Sequence, residues 1–183
     1  MFARVCRYIG VDRECVQLEV FPDQTNELRE ILPYFSSQHK DAAGIYTGHE
    51  GERMVVAVKS SQMKAPLALV ATLAHELCHV ILLGGELMGR DEEDMEPMTD
   101  LATVSLGFRI FTANSAARFE QHDDGQKQGW STSRLGYLPE PVFGYALAKF
   151  AHERGERKPD WVKHLATNVG ANFRKAMKWL GKR

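Results

Sequence analysis

The feature that most constrains this chain is a long apolar stretch, from Ala65 to Leu83, with polar groups near its middle. Leucine, valine and alanine dominate the stretch, Pro66 stands at its start, and Gly84-Gly85 follows its end. Proline is favoured in the first turn of a helix, and glycine is favoured just after the last turn. The pattern therefore predicts one helix from Pro66 to about Leu83.

The polar groups in this helix form the pattern His75-Glu76-Leu77-Cys78-His79. Residues four apart share a helical face, so both imidazoles can reach one zinc ion at about 2.0–2.1 Å. Glu76 is placed to take a proton from a metal-activated water. The alternative is a surface helix with two solvated histidines. The apolar flanks disfavour it, because a buried helix carries such groups at high cost unless they are paired or bind a metal.

A third ligand is needed, since catalytic zinc sites use three protein groups and a water. Glu96 is the preferred candidate because Asp100 follows it by one helical turn. Asp100 would accept the second ring hydrogen of a ligating histidine and so fix its orientation. Glu96 could instead complement a helix N-terminus. The other acidic candidates for this ligand are Glu92, Glu93 and Asp94.

This set of residues resembles the gluzincin group of zinc metallopeptidases, over about Val55 to Phe111. The resemblance implies that the two histidines and Glu96 bind zinc, that Glu76 is the general base, and that Asp100 supports a ligand. It also implies an edge strand that holds an extended peptide by backbone hydrogen bonds. The two candidates for that strand are Gly44–His49 and Arg53–Lys59.

Size and spacing separate the chain from the longer thermolysin-like gluzincins. Those enzymes carry a second lobe with an additional catalytic histidine or tyrosine, and no segment here matches that lobe. The short distance from His79 to Glu96 is similar to that in compact intracellular domains of the ImmA/IrrE type, which act on regulatory proteins. Cys78 stands where such families often have glycine, and we expect it to pack as a small buried residue.

A further side chain that stabilises the oxyanion would help peptide hydrolysis. Tyr137 is the preferred candidate because it lies in a predicted loop between Gly136 and Pro139. Each candidate could also be a packed aromatic or a surface histidine. The alternatives are His122, Tyr145 and His152.

The remaining patterns predict two hairpins, further helices and one loop. The hairpins would pair Val5–Val11 with Cys15–Phe21, and Gly44–His49 with Arg53–Lys59. The helices would cover Thr25–Phe35, Met98–Phe111, Pro139–Glu153, and a segment from Pro159 or Asp160 that Gly170 could interrupt. The loop would run from Ala116 to Ser133.

Strands that precede helices indicate an α+β fold. We expect a small N-terminal antiparallel sheet packed on a mainly helical zincin-like domain, with the zinc-binding helix at its centre. The length of 183 residues suits one domain or two tightly joined lobes, and we expect a single domain. Its strand-rich part would be residues 1–60, its zinc-binding helices 61–115, and its C-terminal helices 135–183.

The composition limits the possible binding partners and the cellular location of the protein. The net charge of -1 gives no global basic field that would attract nucleic acid. From Glu153 to Arg183 there are nine basic and three acidic residues, which more often marks the solvated side of a helix than a nucleic-acid face. The three cysteines suit a reducing compartment, and the N-terminus has no apolar signal region. We expect a cytoplasmic protein that does not enter a membrane.

These patterns predict a zinc metallopeptidase that hydrolyses a protein or peptide by metal-activated water, with Glu76 as general base. The alternative is a non-catalytic zinc-binding regulatory or protein-interaction domain. It is less favoured because structural zinc sites normally use four protein ligands and need no general base. A third hypothesis is a regulatory protein that binds nucleic acid through its basic C-terminal region.

Overall fold

The computed structural model of the chain describes residues 1–23, 43–50, 53–122 and 138–182. These residues form an α+β structure with a three-stranded mixed sheet. The strands are β1 (Val16–Phe21), β2 (Gly44–Glu50) and β3 (Arg53–Lys59). The α-helices are α1 (Phe2–Ile9), α2 (Pro66–Gly84), α3 (Met95–Ser105), α4 (Arg109–His122), α5 (Glu140–Glu153) and α6 (Thr167–Leu180). The chain divides into two compact units, Met1–Thr99 and Asp100–Arg183.

The sheet of the first unit has the strand order β1-β3-β2. The predicted hairpin of β2 and β3 is confirmed, because the two strands pair antiparallel. The prediction of a wholly antiparallel sheet is wrong, because β1 runs parallel to β3. The connection from Phe21 to Arg53 is long enough for the crossover that parallel neighbours require. The central strand β3 is apolar and buried from Val55 to Val58, as is typical of a strand covered on both faces.

The N-terminal segment is a helix, and the hairpin predicted there is wrong. In α1 the buried residues are Phe2, Val5, Cys6 and Ile9. Their spacing of three and four is helical, although the β-branched and aromatic residues among them suggested a strand. The helix ends at Gly10, whose φ of 84° is the left-handed conformation typical of a helix C-terminus.

Helix α2 extends from Pro66 to Gly84, as predicted. Residues from Ala71 to Val80 are all buried, and the helix contacts α1, β2 and β3. Among the described residues it is the one helix long and apolar enough to cross a membrane, and 61% of its most apolar window is buried inside the protein. An apolar surface on all sides is expected of a helix at the centre of a core.

The helix predicted from Met98 to Phe111 is two helices. Helix α3 ends at Ser105, Gly107 has a φ of 94°, and α4 begins at Arg109. The N–H of Phe108 donates to the carbonyl of Thr103, which closes the helix end in the way a left-handed glycine permits. The predicted loop from Ala116 is also wrong at its start, because α4 continues to His122.

In the second unit, α4, α5 and α6 share a core. Helix α5 confirms the prediction for Pro139–Glu153, and α6 follows a short 3-10 turn at Asp160–His164. Gly170 does not interrupt α6, where it is buried. The core is built mainly from Phe143, Leu147, Val169 and Phe173. The helix predicted at Thr25–Phe35 lies outside the described residues.

Candidate metal centre

Two elements of the first unit bring the three predicted ligands together. His75 and His79 lie one turn apart on α2, and each is 7% exposed. Glu96 lies in the first turn of α3. The Nε2 atoms of the histidines are 3.1 Å apart. The Oε2 atom of Glu96 is 2.9 Å from Nε2 of His75 and 3.4 Å from Nε2 of His79.

These separations fit a metal ion. Zinc bonds of about 2.0–2.1 Å in a tetrahedral arrangement separate neighbouring ligand atoms by about 3.3–3.4 Å. The measured separations, from 2.9 to 3.4 Å, are close to that value. Two imidazole nitrogens can face each other at 3.1 Å only if a proton or a cation lies between them. The three side chains can therefore hold a metal ion.

The charge of Glu96 suits this role. Burial raises the pKa of its carboxyl, but the hydrogen bond with His75 and the charges of the two histidines outweigh burial and hold that pKa well below its usual range. The carboxylate is therefore ionised beside the two imidazoles at neutral pH. The alternative ligands are less well placed: Glu92, Glu93 and Asp94 do not belong to the group of side chains whose ligand atoms come together.

Glu76 lies beside the ligands and faces β2. It is 5% exposed, and burial raises the pKa of its carboxyl. The charges of the two histidines and a hydrogen bond from the backbone N–H of Tyr46 oppose that rise. A Cβ atom added at Gly44 would lie 2.9 Å from both Cγ and Oε1 of Glu76. The backbone of β2 therefore passes directly against the predicted general base.

Two residues that support the site were not predicted. One is Gly44, for which a signal existed, since an isolated glycine in a strand often marks a close backbone approach. The other is Thr99, whose Oγ1 is 3.3 Å from Nδ1 of His79. No local pattern distinguishes Thr99, because its contact joins two helices distant in sequence.

The predicted supporting carboxylate, Asp100, begins the second unit and is fully buried. Its Oδ2 accepts a hydrogen bond from the backbone N–H of Leu138 at 2.6 Å. Its role beside a ligating histidine stays a prediction.

The candidates for oxyanion stabilisation also stay predictions. Tyr137 lies outside the described residues. Tyr145 lies on α5 of the second unit, where it is 43% exposed and contacts the ring of Trp179. His152 is exposed on the same helix. His122 ends α4.

Comparisons with protein-family models, with characterised proteins and with solved structures give no match. The resemblance to gluzincins is therefore supported only at the three possible metal ligands. There the spacing of His75 and His79, together with the nearby Glu96, forms a possible metal site.

Proposed function

We propose that this chain is a zinc-dependent peptidase, with zinc held by His75, His79 and Glu96. The main support is the convergence of the three ligand atoms within 3.4 Å of one another. Among the described residues the group contains two nitrogen ligands and one carboxylate, without a fourth protein ligand. Three protein ligands with an open position are typical of catalytic zinc, whereas structural sites use four.

In the proposed peptide hydrolysis, the metal and Glu76 have separate roles. Zinc bound at such a site lowers the pKa of water to about 7 and polarises a carbonyl. Glu76 accepts the proton of the attacking water and returns it to the amine that leaves when the peptide bond breaks. Its backbone contact with β2 fixes its position beside the ligands.

The substrate is an extended peptide that pairs with β2. In the sheet of the described residues, β3 is central and β2 lies at an edge. Edge strands have unpaired backbone groups that can bind an added strand. Of the two strands predicted as candidates, β2 is favoured, because Gly44 at its start lies against Glu76. The peptide would then extend along β2 past the general base.

One observation favours the alternative of a non-catalytic zinc-binding interaction domain. Glu76 is only 5% exposed beneath β2, and a deeply buried carboxylate could serve structure alone. The two functions differ in what Glu76 does, since both require the ligands.

The variant Glu76→Gln separates them. We expect it to retain zinc and its fold but to lose hydrolysis, because the amide cannot accept the proton. Purified protein is incubated with a diverse peptide library, and cleavage is scored by mass spectrometry. The matched control is Glu92→Gln, an exposed acid on the loop before α3. Cleavage by Glu76→Gln at the wild-type rate contradicts the role of Glu76 as general base, and a wild type that loads zinc but cleaves nothing contradicts the peptidase function.

We also propose a cytoplasmic location. No disulfide joins Cys6, Cys15 or Cys78, which suits a reducing compartment. The apolar helix α2 is mostly buried, which suits a core helix better than a membrane span. The proposed partner is a protein or peptide substrate.

A further inference from the structure

We propose that Thr99 is a positioning residue, which holds the hydrogen of the His79 ring on Nδ1 and so directs the lone pair of Nε2 into the metal site. The proposal rests on the proposed metal ligands but not on peptidase activity. Thr99 is fully buried on α3, and His79 is 7% exposed on α2. Their contact is between Oγ1 and Nδ1, at 3.3 Å.

The single hydroxyl hydrogen of Thr99 is used elsewhere. Its Oγ1 lies 2.8 Å from the backbone carbonyl oxygen of Met95, one turn earlier in α3. A threonine in a helix often donates to the carbonyl four residues before it. The Met95 sulfur, at 3.7 Å, is a weaker acceptor for the same hydrogen. The oxygen of Thr99 therefore faces His79 as an acceptor.

An acceptor at this position requires a hydrogen on Nδ1 of His79. If Nδ1 carried no hydrogen, two acceptors would face each other inside the protein, and each would lose its contact with water. A neutral imidazole has one N–H and one lone pair, so a hydrogen on Nδ1 leaves the lone pair on Nε2. That atom is 3.1 Å from Nε2 of His75 and 3.4 Å from Oε2 of Glu96.

Helix α3 thus has two functions at the site. Glu96 and Thr99 are three residues apart and share a helical face. Glu96 provides a ligand atom, and Thr99 orients His79 on α2. A histidine already in the correct tautomer need not move its proton before it binds a cation, so the hydroxyl should raise metal affinity.

The first experiment measures zinc affinity by competition with a chelator at fixed pH. Thr99→Val removes the hydroxyl at nearly constant volume, and we expect the dissociation constant to rise about 10–100-fold. Thr99→Ser keeps the hydroxyl and should stay close to wild type. The matched control is Thr103→Val on the same helix, because Thr103 is also fully buried but bonds Asp100 O and Thr112 Oγ1. Equal losses in Thr99→Val and Thr103→Val would overturn the proposal, since they would indicate a general effect of removing a buried hydroxyl.

The second experiment needs no variant at Thr99. Long-range ¹H–¹⁵N correlation spectra of the metal-free wild type report which ring nitrogen of each histidine carries hydrogen, and His79→Gln assigns the signal. We expect the hydrogen of His79 on Nδ1. A hydrogen on Nε2 would overturn the proposal. A wild type that binds no zinc would instead contradict the proposed function, and the spectrum would still decide the tautomer.

Discussion

At the scale of single residues, some residues of the site could be predicted from local sequence patterns, and others are identified only by contacts in the folded structure. His75 and His79 were predictable as possible metal ligands because their spacing places both imidazoles on one face of a helix. The role of Glu76 as general base stays a prediction. Glu96 was predictable because Asp100 follows it by one helical turn, which distinguishes it from the neighbouring acidic residues. Gly44 and Thr99 act through contacts between elements far apart in sequence. A glycine in a predicted strand was a weak signal for Gly44, and no local pattern indicates Thr99.

Gly44 provides a test at this scale. A Cβ atom there would lie 2.5 Å from Cγ2 of Thr72 and 2.9 Å from Oε1 of Glu76. We therefore expect Gly44→Ala to lower the free energy of unfolding by about 1–3 kcal/mol, because overpacking forces β2 and α2 apart. Denaturant titration measures this change.

The matched control for that substitution is Gly170→Ala within α6. There an added Cβ would meet nothing closer than 3.4 Å, at Nη1 of Arg174. Alanine is also favoured over glycine in a helix by about 1 kcal/mol. The control should be neutral or stabilising. If Gly44→Ala were equally well tolerated, the close packing of β2 on Glu76 would be refuted.

At the scale of elements, helices with clear end signals were predicted best. Pro66 and Gly84-Gly85 bound α2, and Pro139 precedes α5, close to the predicted limits. The break between α3 and α4 was missed, although Gly107 marked it, because the apolar spacing continues across it. The parallel pairing of β1 with β3 could not be read from the sequence, since strand direction depends on how the connection crosses the sheet.

Asn114 provides a test at the scale of elements. Its side chain joins α4 to the segment before α6, with Nδ2 donating to His164 O at 2.8 Å and Oδ1 accepting from Ala166 N at 2.7 Å. We expect Asn114→Ala to cost roughly 1–2 kcal/mol, because two hydrogen bonds are lost and one is partly buried. Asn168→Ala, at an exposed position of α6, is the control and should change stability by less than about 0.5 kcal/mol. The unfolding temperatures of the two variants are compared by thermal unfolding. Equal temperatures would show that the hydrogen bonds of Asn114 do not stabilise the fold.

At the scale of the whole molecule, the α+β class was predictable from the order of strands and helices, whereas the division at Thr99 and Asp100 was not. That division falls inside α3, between Thr99 and Asp100, where the helix continues without a loop. Linker composition therefore gives no signal for it. The three proposed ligands all belong to the unit Met1–Thr99.

The most direct test of the metal site is zinc content, measured by plasma mass spectrometry on the full chain after reconstitution and desalting. We expect about one zinc per chain in the wild type, because the three ligand atoms converge within 3.4 Å. Glu96→Ala should lose most of that zinc, and the control Glu92→Ala should keep it. A wild type without zinc, or a Glu96→Ala variant that retains it in full, would contradict the site described here.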